Sequence, residues 1–544
     1  MTLIHKSTRN FTFKTVRDSI LLLFFSLVLN FFAFPGFVFS DGIGFLSFFS
    51  LLPVMFFIRK SGFSLVFPGA FIYGVLNSVL VFSWLGGFHG IAPWVAGFVQ
   101  GVQYLIVFTL GKIIFINFKK FFWILFPCLM VVFEYLKLQG FLGFPYGITG
   151  YSLFKYTFLI QSASIAGVWI LSFLCFFFSG SLYHGAEVYA GTGKITAALK
   201  VFLPFFALLF LMLFYGIFRV HKAEIPSGKE YDFEIALIQH NTDPWAQGIN
   251  SYREDFRVLR DLTEDALTLN PETNLVVWPE TAFVPRILYH YRYRPVRASY
   301  ELVKELLDFI QGQEAAFLIG NDHWEPKEGT LEGADYNSAL LFIPGKNVIP
   351  PDPVVYSKQK LVPFTEYFPY KRFFPWVYNL LESMDTHFWE PGLDSVVMET
   401  QNIRFGVLIC YEDGFGNFSG EYGKAGCDFL VNMTNDSWAD STVAQHQHLA
   451  MSVLRAVETG LPLFRCAASG VSGVIDGTGV LQEVLPEFKK GHMNISLKNI
   501  KRAEKYSFYT RAGDFLPVFF ILLLAVTFVL KAGFYIRKSC DKNH

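Results

Sequence analysis

The chain has 544 residues, of which 52% are hydrophobic and only 17% charged, with 64 phenylalanines. That balance is too apolar for one water-soluble globule and calls for membrane segments beside a polar part, with room for two or more domains. Lys and Arg equal Asp and Glu at 45 each, so no overall field favours nucleic acid, and no C-x-x-C, H-E-x-x-H or Gly-rich phosphate loop supports a metal or nucleotide site.

Residues 1–18 are polar and basic, with Lys6, Arg9, Lys14 and Arg17. Apolar runs follow at 19–40, 42–58, 63–86, 91–117, 121–138, 157–182 and 199–220, and an eighth closes the chain at 515–536. Several approach the roughly 20 residues that a spanning helix needs. No small-residue cleavage site follows the first run and six more spans do, so it reads as a retained helix rather than a signal peptide. Acids are few within the spans (Glu134 is one), which argues against an ion transporter.

Basic residues set the orientation. The N-terminus, Arg59-Lys60, Lys119-Lys120 and Lys194 with Lys200 fall on alternate loops and belong in the cytoplasm. Lys137 and Lys155 fall on the other side and weaken the pattern slightly. Seven spans then carry the polar half outside, and the last returns to a tail holding Arg537, Lys538 and Lys542. The expected organisation is a seven-helix membrane domain over 1–225, a periplasmic domain over 230–500, and a C-terminal helix with a basic tail over 512–544.

The polar half alternates apolar runs with helical patterns. Phe233–Gln239 reads as a strand, 251–268 as a helix, 275–280 as a strand, 300–311 as a helix and Ala316–Gly320 as a strand. Such alternation predicts an α/β layered domain. Six cysteines are present; Cys128 and Cys175 sit in apolar runs as packing residues, and Cys540 lies in the tail. Cys410, Cys427 and Cys466 are an odd set in the polar half, so at least one thiol is free, and Cys410 is the expected one.

Three strand-like runs end in chemistry. Phe405-Gly406-Val407-Leu408-Ile409 stops at Cys410, Leu275-Val276-Val277 leads to Trp278-Pro279-Glu280, and Tyr356-Ser357-Lys358 precedes another apolar run. A thiol at the carboxyl end of a core strand stands where ligands meet open α/β sheets. Glu, Lys and Cys are a base, a cation for an oxyanion and a nucleophile, a set that suits acyl transfer through a thioester.

Trp-Pro-Glu at 278–280, Tyr-x-Lys-x-x-Leu-Val-Pro-Phe-x-Glu at 356–366 and Cys-Tyr-Glu at 410–412, in that order, resemble the signature of the nitrilase superfamily. The flanking membrane segments narrow the resemblance to its apolipoprotein N-acyltransferase family, over nearly the whole chain. The resemblance implies a multi-pass α-helical membrane domain plus an α/β nitrilase-like α-β-β-α sandwich. It implies Glu280 as general base, Lys358 as oxyanion holder and Cys410 as nucleophile, with no cofactor or metal. Thiolate character at Cys410 would be favoured by a neighbouring ammonium.

Further positions match the family as supports. Glu366 and Glu412 would orient Lys358 or assist proton transfer, Tyr411 would shape the pocket, and Trp245 would line a lipid entry. Val431–Trp438, Gln447, His448, Arg455 and Glu458 match strand-end and helix motifs and read as braces rather than chemistry. Three positions depart from the family: Asp440 stands where Gly is usual, Gln445-His446 replaces Pro-Trp, and Ala468 replaces Asn. Pro285–Tyr300, rich in Arg and Tyr, and Tyr370–Leu381 suit a membrane surface or a lid, with ordinary domain packing as the alternative.

The implied reaction is a ping-pong transfer. Cys410 takes an acyl chain from a phospholipid, typically phosphatidylethanolamine, and passes it to the α-amine of a diacylglyceryl apolipoprotein, in a bacterial inner membrane. Two other readings remain: a membrane-tethered amidase with water as acceptor, and a non-catalytic membrane scaffold. Intact Glu280, Lys358 and Cys410 argue against the scaffold.

Overall fold

The computed structural model describes residues 13–224, 231–242, 248–326, 333–383, 386–503 and 507–540. The chain divides into two compact units. Residues 1–139, 144–217 and 512–544 form one, and 140–143 with 218–511 form the other.

The first unit is helical. Its elements are α1 (Phe13–Ala33), α2 (Ser47–Lys60), α3 (Phe63–Val81), α4 (Ala92–Asn117), α5 (Phe122–Leu136), α6 (Thr157–Ile160), α7 (Ala163–Ala166), α8 (Val168–Thr192), α9 (Ile195–Lys200) and α10 (Leu203–Lys222), with a closing helix Phe515–Cys540. Among the described residues, six helical segments are long and apolar enough to cross a membrane. The runs expected at 42–58 and 121–138 give α2 and α5, of only 14 and 15 residues, each with an internal proline. These fall short of the roughly 20 residues of a perpendicular crossing. The run expected at 157–182 is broken, because Gly167 turns the chain at φ 66° and a fresh helix starts at Val168.

Small residues let these helices touch. A Cβ on Gly74 of α3 would stand 2.7 Å from the Gln100 carbonyl oxygen of α4, and one on Gly180 of α8 would stand 2.0 Å from the Trp123 oxygen of α5. In lipid, where apolar burial gives little drive, such close packing is what holds helices together. Glu134 accepts hydrogen bonds from the Thr149 amide (2.8 Å) and hydroxyl (2.7 Å), so it pins a turn.

The second unit is a sandwich of two six-stranded sheets, counted among the described residues. Its strands are β1 (Glu234–Gln239), β2 (Thr273–Val277), β3 (Ala316–Pro326), β4 (Gly333–Phe342), β5 (Val354–Ser357), β6 (Val397–Thr400), β7 (Ile403–Ile409), β8 (Phe429–Thr434), β9 (Leu463–Ala467), β10 (Ser472–Ile475), β11 (Leu481–Leu485) and β12 (Gly491–Ser496). One sheet runs β12-β1-β2-β3-β4-β5 and the other β11-β10-β9-β8-β7-β6. Within each, the central three strands (β1, β2, β3 and β7, β8, β9) pair in parallel. Strands buried on both faces read as continuous apolar runs, which is why Leu-Val-Val and Val-Leu-Ile were legible. The sheets meet at Cys466 of β9, whose sulfur lies 3.4 Å from the Ile238 carbonyl and 3.3 Å from that of Val277.

Helices cover the outer faces. In this unit α11 (Ile249–Leu269), α12 (Ile287–Tyr293) and α13 (Arg297–Gln311) belong with the first sheet. They set Phe256, Leu259, Leu302 and Leu306 against Val276, Phe317 and Leu340. Next come α14 (Pro375–Ser383), α15 (Gly416–Lys424), α16 (Thr442–Thr459) and α17 (Phe508–Ala512). Almost all of α16 is buried, including Gln445, Gln447, His448, Ser452, Arg455 and Glu458. Burying so many polar groups costs stability unless they find partners.

Candidate active site

Three strand ends converge. Glu280 lies three residues beyond β2, Lys358 directly follows β5, and Cys410 directly follows β7. Rigid strands fix where each of these side chains starts. The Trp278 amide donates to the Leu318 carbonyl of β3 at 2.9 Å, and the Lys358 amide to the Asn337 carbonyl of β4 at 2.8 Å. Cys410 opens a tight turn, Cys410–Gly414, with φ at 51°, a left-handed conformation rare for a residue with a side chain.

Lys358 is fully buried, and its Nζ donates to Glu280 Oε1 at 3.0 Å and to Glu366 Oε1 at 2.8 Å. Glu280 Oε1 also accepts from Asn337 Nδ2 at 2.7 Å, and its Oε2 from the Asn435 amide at 2.8 Å. Glu366 Oε2 accepts from the Val362 amide at 2.8 Å, tying the loop after Lys358 to the ammonium group. One cation thus lies between two carboxylates. Burial pulls the Lys358 ammonium down, but Glu280 and Glu366 outweigh it and hold it well above its ordinary value. Burial pushes the Glu366 carboxyl up, opposed by Lys358.

The thiol differs from the expectation of a neighbour-stabilised thiolate. Burial, then the Glu280 charge, push Cys410 well above the ordinary thiol value, and Lys358 opposes them without prevailing. At rest this is a protonated thiol, so a nucleophilic role needs a base that takes its proton as it attacks.

The supporting positions separate. Glu412 is fully buried, with Oε1 taking the amides of Gln359 (2.7 Å) and Lys360 (3.2 Å) and Oε2 that of Ile409 (2.7 Å). The Tyr356 hydroxyl reaches both oxygens at 2.9 Å. Burial pushes Glu412 up to about 7, against the pull of these amides and of Lys358. It ties the end of β7 to the loop carrying Lys358, and its oxygens are committed to that brace. The Tyr411 hydroxyl donates to the Gly143 carbonyl at 2.5 Å, and Lys360 Nζ to that of Gly140 at 2.6 Å. Phe141 packs among Phe364, Tyr367, Phe368 and Tyr370. Residues 140–143 therefore belong to this unit, which the sequence reading left with the membrane domain. Trp245 lies outside the described residues.

Beneath Cys410 is a set of buried charges. His448 Nδ1 lies 2.9 Å from Asp436 Oδ1, and its Nε2 lies 2.9 Å from Asp413 Oδ1. Arg465 donates to Asp436 Oδ2 at 2.6 Å and to Asn432 Oδ1 at 2.7 Å, with Asp413 Oδ2 at 3.3 Å. Burial alone would lower the His448 imidazolium, but Asp413 and Asp436 raise it to about 9. Burial would raise Asp436, but His448 and Arg465 hold it well below the usual carboxylate range. Cys410, Asp436 and His448 bring potential metal-ligand atoms within 4.8 Å of one another. With a proton on each nitrogen, however, His448 has no lone pair to offer.

Asn337 and the joint work of Asp413 and Arg465 were not anticipated as parts of the site, and Asn435 was expected only within the bracing segment Val431–Trp438. An arginine inside the apolar run Leu463-Phe464-Arg465-Cys466-Ala467 was the available signal, because a charge buried in a strand must be answered. Of the departures from the family pattern, Asp440 has φ 39°, a conformation glycine adopts without strain and Asp tolerates. Ala468 works through its main chain, accepting from the Asn241 amide at 2.8 Å and donating to the Thr434 carbonyl at 2.9 Å. Gln445 is fully buried, and His446 lies 3.8 Å from Glu487. Nothing in the structure explains these two replacements. Cys128, Cys175, Cys410, Cys427 and Cys466 are free thiols. In the 285–300 stretch, Arg286 pairs with Asp322 (3.0 Å) and Asp335 (2.8 Å). In the 370–381 stretch, α14 buries no residue and leaves Trp376 and Leu380 exposed, and Phe373 and Phe374 just before it are exposed as well.

Residues 234–507 match the carbon-nitrogen hydrolase family, so the second unit is a nitrilase-class domain. Residues 26–181 match the apolipoprotein N-acyltransferase N-terminal domain. The chain is 37% identical to apolipoprotein N-acyltransferase 1 of Treponema denticola over 540 residues, covering 96% of this chain and 98% of that protein. It is 40% identical to apolipoprotein N-acyltransferase 1 of Treponema pallidum over 529 residues, covering 94% and 95%. The chain belongs to the apolipoprotein N-acyltransferase family and is a multi-pass membrane protein of bacterial type. Among solved structures, Saccharomyces cerevisiae Nit3 of the nitrilase superfamily is similar at 19% identity and TM-score 0.35, covering 52% of this chain and 94% of its own.

Proposed function

We propose that the protein is a phospholipid:apolipoprotein N-acyltransferase working through an acyl-thioester on Cys410. The observation that carries this is the Lys358 ammonium held between Glu280 and Glu366 beside a thiol that is protonated at rest. Glu280 takes the thiol proton while sulfur attacks the carbonyl carbon of the sn-1 ester of a phospholipid such as phosphatidylethanolamine. The oxyanion is held by Lys358. Collapse breaks the ester C–O bond, and the departing lysophospholipid oxygen takes the proton back from Glu280. The free α-amine of a diacylglyceryl-cysteine then attacks the thioester and gives its proton to Glu280. Collapse of that intermediate breaks C–S, and the sulfur recovers the proton.

Both substrates are lipids, which gives a physical reason for a nitrilase-class domain joined at each end to apolar helices. The proposed domains are a membrane domain over 1–225, a catalytic domain over 230–500 and a C-terminal helix with its tail over 512–544, with 140–143 and the stretch from 218 grouped with the catalytic unit. Alternation of basic loops supports an inner-membrane protein whose catalytic domain faces the periplasm.

The test is mass spectrometry of the Cys410 peptide after incubation with phospholipid and no amine. The expected result is a fatty-acyl adduct released by neutral hydroxylamine and discharged onto a diacylated lipopeptide. Steady release of free fatty acid without an adduct would favour an amidase-like hydrolase. Neither adduct nor turnover in a folded sample would overturn the reading.

A further inference from the structure

The main chain of Cys410 is gripped from below. Its carbonyl oxygen faces His448 Nε2 at 3.2 Å and Asn432 Nδ2 at 3.3 Å. A residue with a side chain stays at φ 51° only when its surroundings over-determine it. These two donors hold the carbonyl of the strained residue, and a ring nitrogen of His448 also lies within 4.8 Å of the thiol sulfur.

Neither donor is free to turn. Asn432 Oδ1 accepts from Arg465 Nη1 at 2.7 Å, which leaves Nδ2 to face Cys410. His448 has a carboxylate oxygen 2.9 Å from each nitrogen, Asp436 on one side and Asp413 on the other. A ring with an acceptor at both nitrogens is a donor at both. Arg465 Nη2 gives one of its two hydrogens to Asp436 at 2.6 Å and lies 3.0 Å from His448 Nδ1, while Asp436 Oδ1 at 2.9 Å is the acceptor that calls for a proton on that nitrogen. Ser452 completes the floor by donating to Asp413 and accepting from Arg465. Two carboxylates opposite an imidazolium and a guanidinium sum to zero, so the cluster buries no net charge.

We propose that His448, as an imidazolium braced by Asp413 and Asp436, is a positioning residue that fixes the Cys410 main chain for nucleophilic attack. The proposal rests on Cys410 being the nucleophile. It goes beyond a packing role for the Gln-His pair, because it ties the enzyme's competence to the ring's second proton. The titratable and charged groups facing the ring are Asp413 and the Cys410 thiol from the turn after β7, Asp436 from the loop after β8 and Arg465 from β9. Burial and these neighbours place its loss of a proton at about 9. Cys410 and Lys358 are both held well above their ordinary values, and Glu412, raised to about 7, titrates below the ring. A neutral ring has one hydrogen left for Asp436 at Nδ1 and for Asp413 with the Cys410 carbonyl at Nε2, so whenever it sits on Nδ1 the turn at Cys410 loses this hold.

The experiment uses the full chain in phospholipid bilayers. It measures the initial rate of Cys410 acylation from pH 7 to 10 for the wild type and for His448→Gln, which keeps a donor amide but cannot titrate. The wild type should lose about tenfold in rate between pH 8 and 10, centred near 9. The variant should be slower by at least about tenfold at pH 7.5 and flat across that range. A wild-type profile with no fall, or a variant matching the wild type in rate and profile, overturns the proposal. If the variant does not fold, the wild-type profile alone decides. Amide hydrogen exchange in residues 410–414 needs no lipid donor and should be faster in the variant at pH 7.5. Absence of any wild-type adduct would be a failure of the acyl-transfer reading, and equal exchange in the two proteins would then overturn the positioning role.

Discussion

Gly320 of β3 lies directly against Glu280. A Cβ on Gly320 would stand 2.7 Å from the Glu280 Cα, 2.2 Å from the Pro279 carbonyl oxygen and 2.5 Å from the Thr281 amide nitrogen. All three are main-chain atoms, and none is the end of a flexible side chain that could swing away. The proposed base is therefore placed by the absence of a side chain on the neighbouring strand.

Gly320→Ala tests this. Overpacking of this kind costs about 1–3 kcal/mol, and a 1 Å misplacement of a catalytic group can cost about a hundredfold in rate. The variant is expected to fold with a lowered melting temperature and to acylate Cys410 at least about tenfold more slowly. Wild-type acylation by Gly320→Ala would show that Glu280 need not stand where the close contact puts it.

Lys358→Met removes the one cation shared by Glu280 and Glu366. Breaking a buried pair from one side costs about 3–5 kcal/mol, because the remaining charge is unanswered. Loss of an oxyanion donor lowers the chemical step by about 10²–10³. Both effects are expected, seen as a lower unfolding midpoint and a missing acyl adduct. Lys358→Arg should not rescue, since a planar fork does not fit a fully buried site built for a compact ammonium. An active Lys358→Met variant would remove the oxyanion role.

Stability should fall on the alkaline side. His448 is raised from 6.5 to about 9, so its contribution is complete below pH 6.5 and is lost as pH rises through 9. For a fully buried group this is about 3 kcal/mol. Glu412, raised from 4.5 to about 7, acts in the same direction, because above 4.5 the folded state holds a proton that the unfolded chain releases. Asp436 is depressed, so its contribution is present at neutral pH and is lost only in strong acid. Thermal unfolding in detergent at pH 5.5, 7.5 and 9.5 checks this, with a falling midpoint expected. A flat or rising midpoint would mean that the His448 cluster is not charged as described.

Chain-local patterns were enough to read a membrane protein from composition and a layered α/β domain from alternating runs. They also picked out Trp278-Pro279-Glu280, Lys358 and Cys410 as strand-end groups. Strand identity and motif spacing depend on near neighbours, and both faces of the parallel strands are buried, so their apolar runs stand out. What a side chain meets depends instead on register and crossover, which bring together residues far apart in sequence. Asn337 reaches Glu280 across 57 residues, the Asn435 amide across 155, and Arg465 reaches Asp413 across 52. The tertiary structure alone decided that Glu412 is a brace with its oxygens committed, that residues 140–143 join the second unit, and that α2 and α5 are short. It also decided the state of the Cys410 thiol. A neighbouring ammonium favours a thiolate, but burial and the Glu280 charge outweigh it, and desolvation is a property of the packed fold.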